Sequence, residues 1–322
     1  MTKISIERFS FGMEKDWDDF VKHSSNGTIF HERKFLSYHI DRSFKDHSVF
    51  IREDGRIIAV LPAVEVDSTF YSHPGASYGW LVFRKVGFEK MNTIYKKIEE
   101  YCLNIKLKAI FCIPTPHIYY EKSDQILDYL FHLNNYSSNE VYISSIIDLS
   151  NELMGSIDKR KMRYINGLKR NSEISLCEST DIESFYPILK QNKSKHNASP
   201  THSINELKRL QELYPDDIKL FLTYHKKQVV GGSVVFITNN HTSLLFYNVV
   251  LKDFRSMQIG SYQIYHAMDW SRNYGLKYLD LGVSQMYGTS QPLDPKESLI
   301  SFKEQFGAKA LVRTAYKKSL FQ

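Results

Sequence analysis

A long amphipathic helix running into a short apolar strand occurs twice in this chain, and that repetition limits its folds more than any other feature. The segment TIYKKIEEYCLNIKLKAIFCIP starts at Thr93, and QIYHAMDWSRNYGLKYLDLGVS starts at Gln263. Ile94-Tyr95 aligns with Ile264-Tyr265, and Leu107-Lys108 aligns with Leu276-Lys277 after one deletion. In the first copy Ile94, Ile98, Tyr101 and Cys102 share one helical face. The strand that follows is stopped by Pro114 and Pro116. Each copy comes after a run of hairpin strands, so the pattern predicts a mixed α/β chain made of two copies of one module. A chance likeness between two helix–strand units is the alternative. The strand over 141–149 gives way to a basic segment, which sets expected domains at 1–149 and 150–322.

The other elements follow from periodicity and turn residues. In the first half, strands are expected at 4–9, 47–51, 57–66, 70–72 and 81–83, with helices at 16–22, 33–41, 89–105 and 125–133. The second half opens with a basic helix over 151–170 and a strand at 173–177. Helices at 182–195 and 204–213 lead into an antiparallel meander, 218–224, 229–237 and 243–251. A helix over 260–273, a strand at 278–281, a helix over 298–306 and a strand at 310–317 complete the chain.

Composition removes several classes of function. With 322 residues and 42% hydrophobic content the chain has real cores, which excludes global disorder. Lys and Arg number 42 against 36 Asp and Glu, so the net charge of +6 fits neither a histone-like tail nor a polyacidic segment. The 21 Tyr and 20 Phe suit half-buried strands. Cys102, Cys112 and Cys177 are too scattered for a disulfide framework, and no C-x-x-C or His/Cys cluster suggests a metal. Reduced thiols, the lack of an apolar leader and the lack of a run near ~18 apolar residues predict a cytoplasmic protein without membrane insertion.

Several residues carry candidate chemistry. Lys303 sits in LISFKEQFGA between Phe302 and Phe306, where its stem can pack while its ammonium reaches a cleft; a surface lysine is the plain alternative. Tyr247 on the third meander strand can offer a hydroxyl as general acid, or simply pack. Asp280 ends a buried strand, where a carboxylate orients an amine, takes its proton or caps loop amides. Lys159, Arg160, Lys161, Arg163, Lys169 and Arg170 share sides of one helix and suit phosphates, or form a solvated face. His73 and Tyr78, with Trp80, surround a glycine-containing turn and can wall a sugar or pack a hairpin. No serine-histidine-acid elbow, Walker loop or dinucleotide fingerprint is present.

SHPGASYG (72–79), NASPTHS (197–203), SLLFYN (243–248), G-x-K-Y-L-D-L-G (275–282) and FKEQFG (302–307) occur in one order along the chain. Together they resemble the Fem-type aminoacyl transferases and the wider Gcn5-related N-acyltransferase (GNAT) superfamily. The resemblance implies two tandem GNAT-like domains with a groove between them, the second carrying most of the chemistry. It implies an N-acyltransferase moving an acyl group from acyl-CoA, a co-substrate rather than a bound cofactor, to an amine. The acceptor it implies is an amino sugar or a nucleotide- or lipid-linked cell-envelope or polysaccharide precursor. The alternatives are an aminoacyl-tRNA donor in peptidoglycan cross-bridge synthesis and a non-catalytic binding protein on the same fold.

The Phe-Lys pair at the family's reaction centre matches Phe302-Lys303, with the lysine stabilising negative charge. The superfamily's pyrophosphate loop, Arg/Gln-x-x-Gly-x-Gly/Ala, falls on Arg255, Gln258, Gly260 and Ser261; the second glycine is absent and the spacing differs. An ordinary helix start with Ser256 as N-cap is the alternative there. The strand around Tyr247 corresponds to one that splays from its neighbour and offers backbone N–H groups to the acyl carbonyl. The acceptor region falls on Lys195 and His196, and phosphates fall on the basic helix around Arg163.

Overall fold

Residues 3–40, 42–150, 152–195, 198–285 and 294–321 are described in the computed structural model of the chain. By its internal contacts the chain divides into two units, Met1–Val141 with Arg313–Gln322, and Tyr142–Val312.

The first unit runs β1 (Ile4–Arg8), α1 (Glu14–Lys22), α2 (Arg33–Leu36), β2 (Val49–Glu53), β3 (Arg56–Leu61), β4 (Val64–Val66), β5 (Thr69–Ser72), β6 (Val82–Phe83), α3 (Phe88–Asn104), β7 (Ala109–Cys112) and α4 (Ile126–Leu133). An antiparallel sheet has the order β1-β2-β3-β6. β5 pairs antiparallel with β4 and parallel with β7. The single strand expected over 57–66 is two strands, because Pro62 between them has no N–H for a ladder. The helix expected over 33–41 ends at Leu36. Trp80, Ile94, Tyr95, Ile98, Cys102 and Phe131 fill the core, and the Trp80 indole N–H donates to the Tyr95 hydroxyl at 2.9 Å.

β8 (Ser137–Asp148) begins in the first unit and pairs with a strand of the second from Ser144 onward. The second unit continues with α5 (Leu153–Ser156), α6 (Lys159–Arg170), β9 (Ile174–Ser179), α7 (Ile182–Ser194), α8 (Ile204–Leu213), β10 (Ile218–His225), β11 (Gln228–Ile237), β12 (Thr242–Val250), α9 (Ile259–Asn273), β13 (Tyr278–Val283) and α10 (Glu297–Glu304). The expected basic helix over 151–170 is interrupted, because the Asp158 carboxylate accepts the Arg160 and Lys161 N–H groups and starts α6 afresh. The last strand, β14 (Lys309–Ser319), pairs Tyr316–Ser319 with β7, so residues 313–322 fall in the first unit and not, as expected, in the second.

The strand order in the second unit is β8-β13-β12-β11-β10-β9, antiparallel except for β12 and β13. Gly231 and Gly232 of β11 show what covers its faces. A Cβ on Gly231 would meet Gln263 of α9, and one on Gly232 would meet Phe185 of α7. Successive residues point to opposite faces, so α9 and α7 cover opposite sides.

The repeated module forms in both units and ends in the same turn. The Leu107 N–H reaches Cys102 O at 2.9 Å with Lys106 at φ 63°; the Leu276 N–H reaches Ser271 O at 3.1 Å with Gly275 at φ 95°. This six-to-one bond across a left-handed residue closes α3 and α9 alike. The strand that follows pairs parallel to an earlier strand of its unit: Ala109 lies opposite Thr69 of β5, with β6 intervening before α3, and Tyr278 lies opposite Thr242 of β12, the strand before α9.

Candidate functional site

The two copies differ in how far their parallel strands stay together. β5 and β7 pair over all four residues of each, whereas β12 pairs with β13 only from Thr242 to Leu244. Two irregularities part them. The β11–β12 register shifts between Val234 and Val235, which leaves Phe246 as an extra residue on β12. The β13–β8 register shifts after Asp280. Beyond Leu244, the side of β12 that faced β13 has no strand partner among the described residues.

A cavity of about 240 Å³ occupies that fork. β12 contributes Leu245 through Val249, β13 Leu281 and Val283, α9 Ile264, α10 Phe302 and Lys303, and α7 Asn192 and Lys193. All belong to the second unit. Of the expected catalytic residues, Lys303 and Tyr247 line it, and Phe302 joins them.

Lys303 is 6% exposed, and its ammonium donates to Gly282 O at 2.7 Å, Val283 O at 3.1 Å and Ser284 Oγ at 2.8 Å. The charge is therefore fixed on the cavity wall. α10 ends at Glu304, and Gly307 follows at φ 78°, where a Cβ would meet Ser156 at 2.8 Å. Asp280 is 0% exposed, with Oδ1 accepting the Gly282 N–H at 2.6 Å and the Ser144 hydroxyl at 3.0 Å. The expectation that it meets a substrate amine fails on that burial; it organises the turn that holds Lys303.

Tyr247 also departs from expectation. Its hydroxyl accepts the His202 N–H at 3.3 Å, lies 2.9 Å from His202 Nδ1 and is hydrogen bonded to Thr201. Burial pushes the phenol up to about 12. A hydroxyl so engaged ties the segment before α8 to β12 rather than meeting a leaving group.

A second cavity, of about 370 Å³, lies at the N-terminus of α9, between Arg160, Lys161 and Tyr164 of α6 and Gln258. Lys161 Nζ donates to Gln258 Oε1 at 3.0 Å and Ser261 Oγ at 3.3 Å, and sits 4.7 Å from the centre of the Phe302 ring, on the wall of the first cavity. Burial lowers its pKa, against the opposing pull of the Asp158 carboxylate. Gln258, at φ 63°, is the residue before α9, so Ser256 is not its cap. The Gly260 carbonyl accepts from Asn248 Nδ2 at 3.1 Å. A helix start leaves N–H groups without intrahelical partners, and the nearby cation adds to their attraction for an anion.

The remaining expected residues are dispersed. Arg255 is exposed on the turn before α9, and Lys195 is exposed at the end of α7. Partial desolvation, then the charges of Arg255 and Lys252, lower the pKa of Lys195. Arg163 is exposed on α6. His196 lies outside the described residues. His73 and Tyr78, expected to wall a sugar or pack a hairpin, are buried in the first unit. Tyr78 is 1% exposed, bonded to the Tyr119 hydroxyl at 2.9 Å and packed edge-on to Phe30. Burial lowers His73 to about 4. Sequence reasoning missed Asn192 and Lys193, whose only signal was their place at the polar end of an amphipathic helix, and Asn248, which lay inside a motif without being singled out.

Residues 159–289 match the family model described as acetyltransferase (GNAT) domain. A search of curated proteins found no match. Among solved structures, the chain is similar to FemX, at 13% identity and a TM-score of 0.72 over 97% of each chain. It is similar to L-PGS from Bacillus licheniformis, at 10% identity and a TM-score of 0.61 over 97% of this chain and 94% of that one. It is also similar to a tandem GNAT protein from the clavulanic acid biosynthesis pathway, at 8% identity and a TM-score of 0.57 over 99% of each. Identities this low speak to the fold, which is tandem and mixed α/β. Among the described residues no helix is long and apolar enough to cross a membrane.

Proposed function

We propose, for what is an acyltransferase of the GNAT superfamily with a Fem-like fold, that the chain moves an acyl group from acyl-CoA to the amine of an amino sugar or cell-envelope precursor in the cytoplasm. The observation that carries this reading is the fork between β12 and β13, which leaves a strand edge facing a cavity that also holds a fixed lysine charge.

In this reading the acyl carbonyl lies along the unpaired edge of β12, and backbone N–H groups there accept the charge that develops on its oxygen. Each such donor contributes ~3 kcal/mol to a tetrahedral transition state. Lys303, held by three acceptors, adds a positive field that needs no reorganisation during the reaction. The neutral amine attacks the carbonyl carbon, a C–N bond forms and the C–S bond breaks. The thiolate leaves with the electron pair, and the proton lost by nitrogen balances it as thiol. No enzyme acyl intermediate is involved, and holding both reactants in one cavity supplies ~7–11 kcal/mol. Lys161, Ser261 and the start of α9 hold the CoA phosphates, with Arg160 beside them.

A second reading keeps the site and changes the donor to aminoacyl-tRNA. It is favoured by the exposed face of α6, which carries Lys159, Arg160, Arg163 and Arg170. Titration calorimetry with acetyl-CoA and with charged tRNA, at low and high salt, separates the two. The first reading expects saturable acetyl-CoA binding at one site. Binding of charged tRNA alone, weakened by salt, would replace it with the second.

A further inference from the structure

The 370 Å³ cavity beside the start of α9 has the size of a small-ligand site, and its walls hold more than cations. On α6, Met162, Ile165 and Leu168 are buried, while Arg160, Lys161 and Tyr164, spaced three and four apart, share another side and line the cavity. Tyr164 is 41% exposed, and among the described residues its ring packs against no other ring. Arg160, one turn earlier, is hydrogen bonded to the Tyr164 hydroxyl, which steadies the ring and leaves further guanidinium donors. An open aromatic face beside two cations is a platform on which a base can stack.

Two glutamines complete the wall. Gln258 Oε1 lies 3.0 Å from Lys161 Nζ, and an ammonium has no acceptor, so this contact fixes which end of the amide is oxygen. Gln305 is anchored by its backbone, whose carbonyl accepts the Asp158 N–H at 2.8 Å. Its side-chain amide makes no hydrogen bond among the described residues. The one carboxylate in the lining, Asp158, caps α6 by accepting the Arg160 N–H at 2.9 Å and the Lys161 N–H at 3.1 Å.

These groups match the parts of a nucleotide. Phosphates take the cations, a base takes the ring, and a glutamine amide, with donor and acceptor side by side, matches the N6 and N7 edge of adenine. Lys161 Nζ also lies 4.7 Å from the centre of the Phe302 ring, on the wall of the 240 Å³ cavity. An extended molecule can therefore keep its nucleotide in one cavity and its acyl end in the other. We propose that the cavity between α6 and the start of α9 is an adenine-nucleotide subsite of the acyl donor, with Tyr164 stacking the base and Gln305 reading its edge. This rests on the acyl-CoA reading and names where the adenosine of that donor binds.

The test is titration calorimetry on the full-length chain with adenosine 3′,5′-bisphosphate, guanosine 3′,5′-bisphosphate and acetyl-CoA. The adenine nucleotide should bind, compete with acetyl-CoA for one site, and bind more tightly than the guanine nucleotide. Tyr164→Ala should weaken both adenosine bisphosphate and acetyl-CoA roughly tenfold, about 1.4 kcal/mol, within the range for one stacked base. Tyr164→Phe should keep the affinity, and Gln305→Leu should bring the two purine nucleotides to equal affinity. Three results would each overturn the proposal: no binding of adenosine bisphosphate, unchanged binding in Tyr164→Ala, or an adenine preference unchanged in Gln305→Leu. If acetyl-CoA still binds in any of those cases, the acyl-CoA reading stands without this subsite. If adenosine bisphosphate binds through Tyr164 and acetyl-CoA does not compete, the subsite stands and the acyl-CoA reading falls.

Discussion

Asp280 and Lys303 hold the same turn from opposite sides. The Asp280 carboxylate accepts the Gly282 N–H at 2.6 Å, and the Lys303 ammonium donates to the Gly282 carbonyl at 2.7 Å. Gly282 has φ 72°, a left-handed conformation that suits glycine. At this turn β13 has already parted from β12, so the two charges fix the wall of the cavity.

Lys303→Met removes the donor from two carbonyls and a hydroxyl in a buried turn. We expect a stability loss of roughly 2–4 kcal/mol by chemical denaturation and a fall in kcat of roughly a hundredfold. Turnover left intact in a folded Lys303→Met variant would remove the lysine from the chemistry.

Asp280 separates a structural carboxylate from a catalytic one. Asp280→Asn keeps an oxygen for the Gly282 N–H and should retain most activity, whereas Asp280→Ala should cost about 2–3 kcal/mol of stability. Loss of activity in Asp280→Asn without loss of stability would restore the catalytic role that its burial denies.

Tyr247→Phe tests the reassignment of the phenol. A tether to Thr201 and His202 predicts a stability loss of about 1 kcal/mol and a fall in kcat under ~10-fold, whereas a general acid would cost ~10²–10⁴.

The fold was legible wherever periodicity and turn chemistry agreed. The duplicated module could be read because Ile94 and Ile98 on one side, and Ile264 on the other, mark the buried faces of α3 and α9. The break in the basic helix was also written in the sequence: Asp158 stands immediately before Lys159, Arg160 and Lys161, where an N-cap belongs. Other features were not local. That β14 joins the first unit depends on pairing Tyr316–Ser319 with Ala109–Cys112, some two hundred residues away. At the site, residue types were visible and their commitments were not. Nothing near Asp280 in the sequence shows that Ser144 and Gly282 occupy its carboxylate, and nothing near Tyr247 shows His202 against its hydroxyl.

Buried histidines give the fold a pH dependence. Burial lowers His31, between Thr28 and Thr115, to about 4, and lowers His73 to about 4. The unfolded chain binds these protons near pH 6.5 and the folded chain does not, so between about 6.5 and 4 stability rises with pH and falls on acidification. Each histidine accounts for up to about 3 kcal/mol lost by pH 4. Denaturation midpoints measured between pH 7 and 4.5 should fall steadily, and less steeply in His31→Asn.

Lys161 touches both the second cavity and the Phe302 wall of the first. Lys161→Ala should raise the KM for acetyl-CoA roughly tenfold or more, the size of one charged hydrogen bond, with a smaller change in kcat. A change in kcat alone would place Lys161 outside donor binding.

The most direct measurement is a crystal structure of the chain with a non-hydrolysable acyl-CoA analogue. The account predicts the acyl carbonyl on the unpaired edge of β12 between Leu245 and Val249, with the phosphates at the start of α9 beside Lys161. An analogue bound elsewhere, or no analogue bound at saturating concentration while β12 and β13 remain apart, would contradict it.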